Sequence, residues 1–137
     1  MMNFKAKIDE LKPMLQWIRG NLQGVDLKML QNIELACEEV LVNIIEHAYH
    51  QKGGVVEIDV FDFPKDHVEI HIRDEGTFFN PLDFQDAPKS PLPIDLQEEG
   101  GLGIHFMKKI MDDIRYTRSQ NKNILILVKK YPIDSSR

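Results

Sequence analysis

Three groups of residues in this chain have the types and spacing of reactive machinery. The stretch EEGGLGIHFMKKI, Glu98 to Ile110, sets Gly100, Gly101 and Gly103 directly ahead of an amphipathic helical pattern. Bare glycine backbone at a helix N-terminus exposes unpaired N–H groups at the positive end of the dipole, which is a surface for phosphate. Short Gly-x-Gly matches are frequent by chance, and glycine is common in turns, so this cluster needs company. In EEVLVN, Glu39 and Asn43 stand four apart and are neighbours on one face of a helix. A carboxylate there can accept a proton, and an amide oxygen beside it can ligate a hard cation such as magnesium. On a helical wheel the pair lies opposite the apolar stripe, beside Asn32, Glu46 and His50, which is equally the pattern of an ordinary solvated face. The third group is Asp74 and Gly76 in the tripeptide DEG, which by itself also suits a turn.

The elements that must position these groups are legible from periodicity. Phe4 to Ile8 reads as a short strand, and Asp9 is placed to cap a first helix with Leu11, Leu15, Ile18 and Leu22 on its apolar side and Pro13 in its first turn. After the break RGNLQGVD, Asp26 caps a second helix expected to run to about His50, with the stripe Leu30, Ile33, Cys37, Leu41, Ile44 and Ala48. Lys52 to Gly54 turns the chain into VVEIDVF, FPKD turns it again, and HVEIHIRD follows, an antiparallel hairpin by its alternation. In the second strand Val68, Ile70 and Ile72 point inward, so Asp74 continues that row toward the core. A buried carboxylate demands hydrogen-bond partners, either internal or on a ligand. Pro81 to Leu96 lacks sustained periodicity and contains Pro81, Pro88, Pro91 and Pro93, which reads as a long loop. A third helix is expected from about Leu102 to Asp113, burying Phe106, Met107, Ile110 and Met111, and then the strands IRYTR and NILILVKK around the turn SQNKN. Helices over one face of a mainly antiparallel sheet make an α+β two-layer sandwich.

Composition narrows the function classes. The 137 residues carry 42% hydrophobic and 28% charged residues, which suits one globular domain over residues 1–137. A formal charge of −5 lacks the basic footprint of a nucleic-acid binder. Apolar runs are short and MMNFKAKIDELKP has no signal-peptide core, so the expected setting is the cytoplasm, with no membrane partner. Cys37 is the single cysteine and, on an apolar face, reads as a packed thiol. The five histidines show no zinc spacing: His67 and His71 share the expected solvent side of a strand, and His47, His50 and His105 lie on or near helices.

Taken together, LACEEVLVNIIEHAY, IRDEGTFFNP and EEGGLGIHFMKKIMDDIRY closely resemble the three motif regions of the bacterial anti-sigma factor serine kinases, within the superfamily of gyrase, histidine kinase and mismatch-repair ATPases. The resemblance extends from about Ile8 to Val128 and rests on the three blocks in order. It implies a Bergerat-type ATP-binding fold. It also implies that Asp74 accepts a hydrogen bond from the adenine amino group while Gly76 permits the ring to approach. By the same resemblance Asn43 ligates Mg2+, Glu39 is the catalytic base, and Gly101, Leu102 and Gly103 meet the phosphates under a lid formed by residues 81–100.

The implied activity is ATP-dependent phosphorylation of an anti-sigma factor antagonist, with a sigma factor as the sequestered partner. Trp17 and the first helix read as core, and the resemblance also gives the first helix, with no residue singled out, a part in homodimer formation or partner contact. The lid is acidic near its end, at Asp95, Glu98 and Glu99, and offers Lys89 as its cation. That departure keeps a second reading open, a nucleotide-responsive binding module that does not phosphorylate. A third, the ATPase part of a histidine kinase, has no dimerising phosphoacceptor helix pair in this sequence.

Overall fold

A computed structural model describes residues 1–49, 52–80 and 107–132. Five strands form one sheet: β1 (Met2–Lys5), β2 (Val55–Phe63), β3 (His67–Asp74), β4 (Asp113–Ser119) and β5 (Lys122–Lys130). Every pairing is antiparallel and the order is β1-β2-β3-β5-β4. The helices are α1 (Leu11–Gly20) and α2 (Leu27–Asn43). The expected α+β two-layer architecture is what the chain adopts.

Alternation places the core. Val56 and Ile58 of β2, Val68, Ile70 and Ile72 of β3, and Leu125 and Leu127 of β5 are buried on one face of the sheet. They form one apolar cluster with Met14 and Ile18 of α1 and with Leu30, Ile33, Cys37 and Leu41 of α2. The helices therefore cover that face, and burial of this apolar surface is the main force holding the layers together. Burial also pushes the Cys37 thiol up to about 12, with Glu34 adding to the effect, so the sulfur is packing rather than a nucleophile.

Helix ends follow the sequence with informative exceptions. Asp26 caps α2 by accepting the Met29 N–H at 3.0 Å. Asp9 does not cap α1; it lies in a 3-10 turn, Ile8–Glu10, and α1 begins at Leu11 without a side-chain cap. The first strand ends at Lys5 rather than Ile8. The second helix is α-helical only to Asn43, and a π turn, Ile44–Ala48, continues it. Residues 107–110 are helical with Met107 and Met111 buried, but Asp113 opens β4 instead of ending a helix. The turn expected over SQNKN is two residues long: Gln120 (φ 52°) and Asn121 (φ 63°) both adopt the left-handed region, as a tight hairpin turn of the I′ kind requires. Ser119 and Lys122 are consequently paired strand residues, and Asn123 belongs to β5. Among the described residues no helix is long and apolar enough to cross a membrane.

Candidate nucleotide site

One row crosses the sheet at its polar end. Antiparallel register aligns Val56, Asp74, Asn123 and Arg118 on adjacent strands, all on the inward side. The β3 alternation that buries Val68, Ile70 and Ile72 delivers Asp74 to that row, where it is 3% exposed. The inward carboxylate expected from the sequence is therefore present. Asn123 Nδ2 and the Gly76 N–H each donate to Asp74 Oδ1 at 2.9 Å. Among the described residues, no hydrogen bond reaches Oδ2. Burial raises the Asp74 carboxyl above its ordinary value; the bonds from Asn123 and Gly76 and the nearby Arg118 charge oppose that rise.

Asn123 was not among the expected site residues, because SQNKN read as turn. Its amide also donates to the Thr77 carbonyl at 2.9 Å, and its Oδ1 accepts from Arg118 Nη1 at 3.0 Å and from the Tyr116 hydroxyl at 2.5 Å. Arg118 Nη1 donates as well to the Gly76 carbonyl at 3.0 Å. A signal for Asn123 did exist: Asn123, Leu125 and Leu127 alternate, so extending the strand back two residues puts an amide on the inward row.

Gly76 packs against the end of the second helix. A Cβ there would lie 2.5 Å from the Ala48 carbonyl oxygen, so the missing side chain first admits helix backbone. That carbonyl, freed at a helix end, accepts from the Thr77 N–H at 2.9 Å and from Thr77 Oγ1 at 3.1 Å. The π turn ending at Ala48 begins directly after Asn43. In this way the C-terminal end of α2 is tied to the segment following β3.

Asn43 does not lie on a solvated face. It is 2% exposed, in line with the buried residues Met29, Ala36 and Val40, so α2 buries a wider arc than the single stripe Leu30–Ile33–Cys37–Leu41. Its Nδ2 has no hydrogen-bond partner among the described residues. An amide N–H buried without a partner among the described residues fits an acceptor such as a phosphate oxygen, and the oxygen of the same amide is of the type that ligates a hard cation. Glu39, one turn earlier, is half-buried. The structure thus brings Asp74 and Gly76 together by a direct bond and ties them to the helix carrying Asn43 and Glu39 through Ala48. Gly101, Leu102 and Gly103 and the proposed lid, residues 81–100, lie outside the described residues.

His67 and His71 have other business. His67 bonds Asp66 and Glu69, and His71 bonds Glu69 at 2.9 Å, all on the outer face of β3. Among the described residues no group of three or more His, Cys, Asp or Glu side chains is arranged to hold a metal.

Comparison with known proteins identifies the family and the fold. The sequence pattern of the family described as "Histidine kinase-like ATPase domain" matches residues 4–129. A serine-protein kinase RsbW from Oceanobacillus iheyensis is 28% identical over 116 residues, covering 82% of this chain and 72% of that protein. The RsbW of Bacillus licheniformis is 33% identical over 107 residues, covering 71% of this chain and 66% of its own length. Among solved structures, the mycobacterial sensor histidine kinase MprB superposes with a TM-score of 0.54 at 14% identity, over 96% of this chain and all (100%) of that one. The blue-light activated histidine kinase EL346 of Erythrobacter litoralis gives 0.53 at 20% identity, over 77% of this chain and 31% of its own. These two likenesses speak for the fold.

Proposed function

The chain belongs to the family of histidine kinase-like ATPase domains, and from that premise we propose that it is a cytoplasmic, ATP-dependent protein serine/threonine kinase that phosphorylates an anti-sigma factor antagonist and binds a sigma factor. Relatives named serine-protein kinase RsbW support the kinase reading. The observation that carries the nucleotide site is the buried Asp74 carboxylate, with Oδ1 bonded by Gly76 and Asn123 and Oδ2 left to receive an amino group.

In this reading residues 1–137 act as one domain. Asp74 Oδ2 accepts the adenine amino N–H, and Gly76 keeps the base-side backbone low. Gly101, Leu102 and Gly103 supply backbone N–H groups to the phosphates, with residues 81–100 as lid. Asn43 offers its side-chain oxygen to magnesium, which when bound screens the phosphate charges. Glu39 orients the substrate hydroxyl and takes its proton. The hydroxyl oxygen then bonds to the γ-phosphorus, the bond from that phosphorus to the β-bridging oxygen breaks, and ADP departs with the electron pair.

Incubation with γ-labelled ATP, magnesium and a candidate antagonist tests the assignment. Wild type is expected to transfer label. Glu39→Gln is expected to keep ATP affinity and to lose transfer by about 10²- to 10⁴-fold, the range of a positioned base. Unchanged turnover in that variant removes Glu39 from the chemistry. Antagonist binding without any label transfer by wild type favours the non-phosphorylating binding module over the kinase.

A further inference from the structure

We infer that Arg118 is a positioning residue of the base pocket: clamped between the Gly76 carbonyl and the Asn123 side-chain oxygen, it holds Asp74 as an acceptor and so selects a purine bearing an amino group over one bearing an oxo group at the same carbon. The inference rests on the reading that Asp74 receives the base.

The geometry is specific because the partners differ in what they can donate. An asparagine amide can sit in two senses, with oxygen and nitrogen exchanged. Arginine has donors only, so its 3.0 Å bond from Nη1 requires Asn123 to present oxygen toward β4. The Phe79 N–H, 3.4 Å from the same oxygen, and the Thr77 carbonyl, 2.9 Å from Nδ2, favour the same sense, while the Tyr116 hydroxyl could donate or accept; Arg118 is the charged partner among them. With the oxygen committed to Arg118, Asn123 must present Nδ2 to Asp74 Oδ1 and to the Thr77 carbonyl, both at 2.9 Å. Asp74 Oδ1 then carries two N–H bonds, from Asn123 and Gly76, which leaves Oδ2 as the recognition atom. The second Arg118 bond, to the Gly76 carbonyl, secures the backbone whose N–H is one of those donors.

Charge acts in the same direction as geometry. An ionised Oδ2 attracts an amino N–H and repels an oxo lone pair; a protonated one can donate to the oxo group, and the preference weakens. Burial favours the protonated carboxyl and the Arg118 charge opposes it. Among the described residues, the other ionisable groups near Asp74 include the Tyr49 phenol, which follows the π turn and accepts from the Glu75 N–H, Glu75 itself, next in the chain, and the Tyr116 phenol, which bonds Asn123. None of these contributes a compensating positive charge.

The test is calorimetry of ADP and inosine diphosphate on the full chain across pH. Their phosphates are the same, so the affinity ratio reports the base alone. In wild type the ratio is expected to favour ADP at neutral pH and to fall on acidification while circular dichroism shows the fold intact. Arg118→Gln is expected to lower the neutral-pH ratio about tenfold, the scale of one lost charged hydrogen bond, and to move its fall to higher pH. Arg118→Lys, which keeps the charge, is expected to recover most of it. A ratio unchanged in Arg118→Gln at every pH, even with both affinities reduced, overturns the inference. Should that variant not fold, a wild-type ratio that does not vary with pH overturns it instead. Asp74→Asn separates the two levels: loss of the ratio there, with Arg118→Gln like wild type, sinks only the Arg118 role, whereas an unchanged ratio in Asp74→Asn sinks the base pocket as well.

Discussion

Strand β3 carries polar residues on both faces, and the two sets are held in different ways. On the outer face His67, Glu69 and His71 bond one another and Asp66, with Phe63 stacked on His67 at 4.6 Å between ring centroids and Phe61 edge-on to His71 at 4.8 Å. These are ion pairs within reach of water, where each charge has an alternative partner. On the inner face, three residues past His71 and therefore on the opposite side of the strand, Asp74 is 3% exposed and is met by an amide, a backbone N–H and a neighbouring guanidinium. A buried carboxylate without a full set of donors is costly, so a fold that keeps one uncompleted oxygen does so at the expense of its own stability. The contrast separates polar residues that merely tolerate solvent from one that, on the proposed reading, is retained for a ligand.

The contrast breaks most visibly at Gly76. Gly76→Ala would place a Cβ 2.5 Å from the Ala48 carbonyl oxygen, which is backbone and cannot swing away. Overpacking of this kind costs about 1–3 kcal/mol, so thermal unfolding should move down by several degrees, and ATP binding should weaken with it. A melting temperature equal to wild type would show that the strand end and helix end are not pressed together.

A smaller effect of opposite sign is expected at Asp74. Its folded carboxyl lies above the ordinary value of 3.8, chiefly from burial, so the folded state binds the proton more readily than the unfolded chain. Stability therefore falls as pH rises from 3.8 through the folded value, and at neutral pH the ionised group is a net cost. Asp74→Asn, whose oxygen can still accept from Gly76 and Asn123, should raise the melting temperature of the nucleotide-free protein at neutral pH. A drop there would contradict the idea that the carboxylate is kept against stability.

The smallest effect belongs to the outer face. His67 is raised above 6.5 by its bond to Asp66 and then by Glu69, so its contribution is complete below 6.5 and is lost as pH climbs through the folded value. Glu69 is lowered below 4.5 by His71 and then His67, so its contribution is present above 4.5 and is lost as pH falls through the folded value. Their joint support is thus greatest between 4.5 and 6.5. Glu69→Gln should change the melting temperature by about one degree or less, with that change largest inside this window, and should leave nucleotide affinity alone. An effect on ATP binding would mean that the two faces are coupled.

What the sequence made legible follows the periodicity of each element. In β3 the alternation is clean, so the inward aim of Asp74 could be read directly. In α2 the apolar residues spread over more than one stripe, and a wheel centred on Leu30, Ile33, Cys37 and Leu41 placed Asn43 on the wrong side, although Met29, Ala36 and Val40 mark the row that buries it. Asn123 was hidden by composition: SQNKN is rich in turn formers, but Gln120 and Asn121 suffice for the turn. Arg118 could be placed only once that register was known, because its neighbours Gly76 and Asn123 are 42 and 5 residues away in the chain. The π turn after Asn43 has no sequence signal that periodicity would reveal.

The central claim is that Asp74 is the acceptor for a nucleotide base, and calorimetric titration of ATP with magnesium into wild type and Asp74→Asn addresses it most directly. The prediction is measurable binding by wild type and about 10- to 100-fold weaker binding by the variant, the scale of a lost hydrogen bond to a charged group, with the fold preserved. Equal affinities in two folded proteins would contradict it.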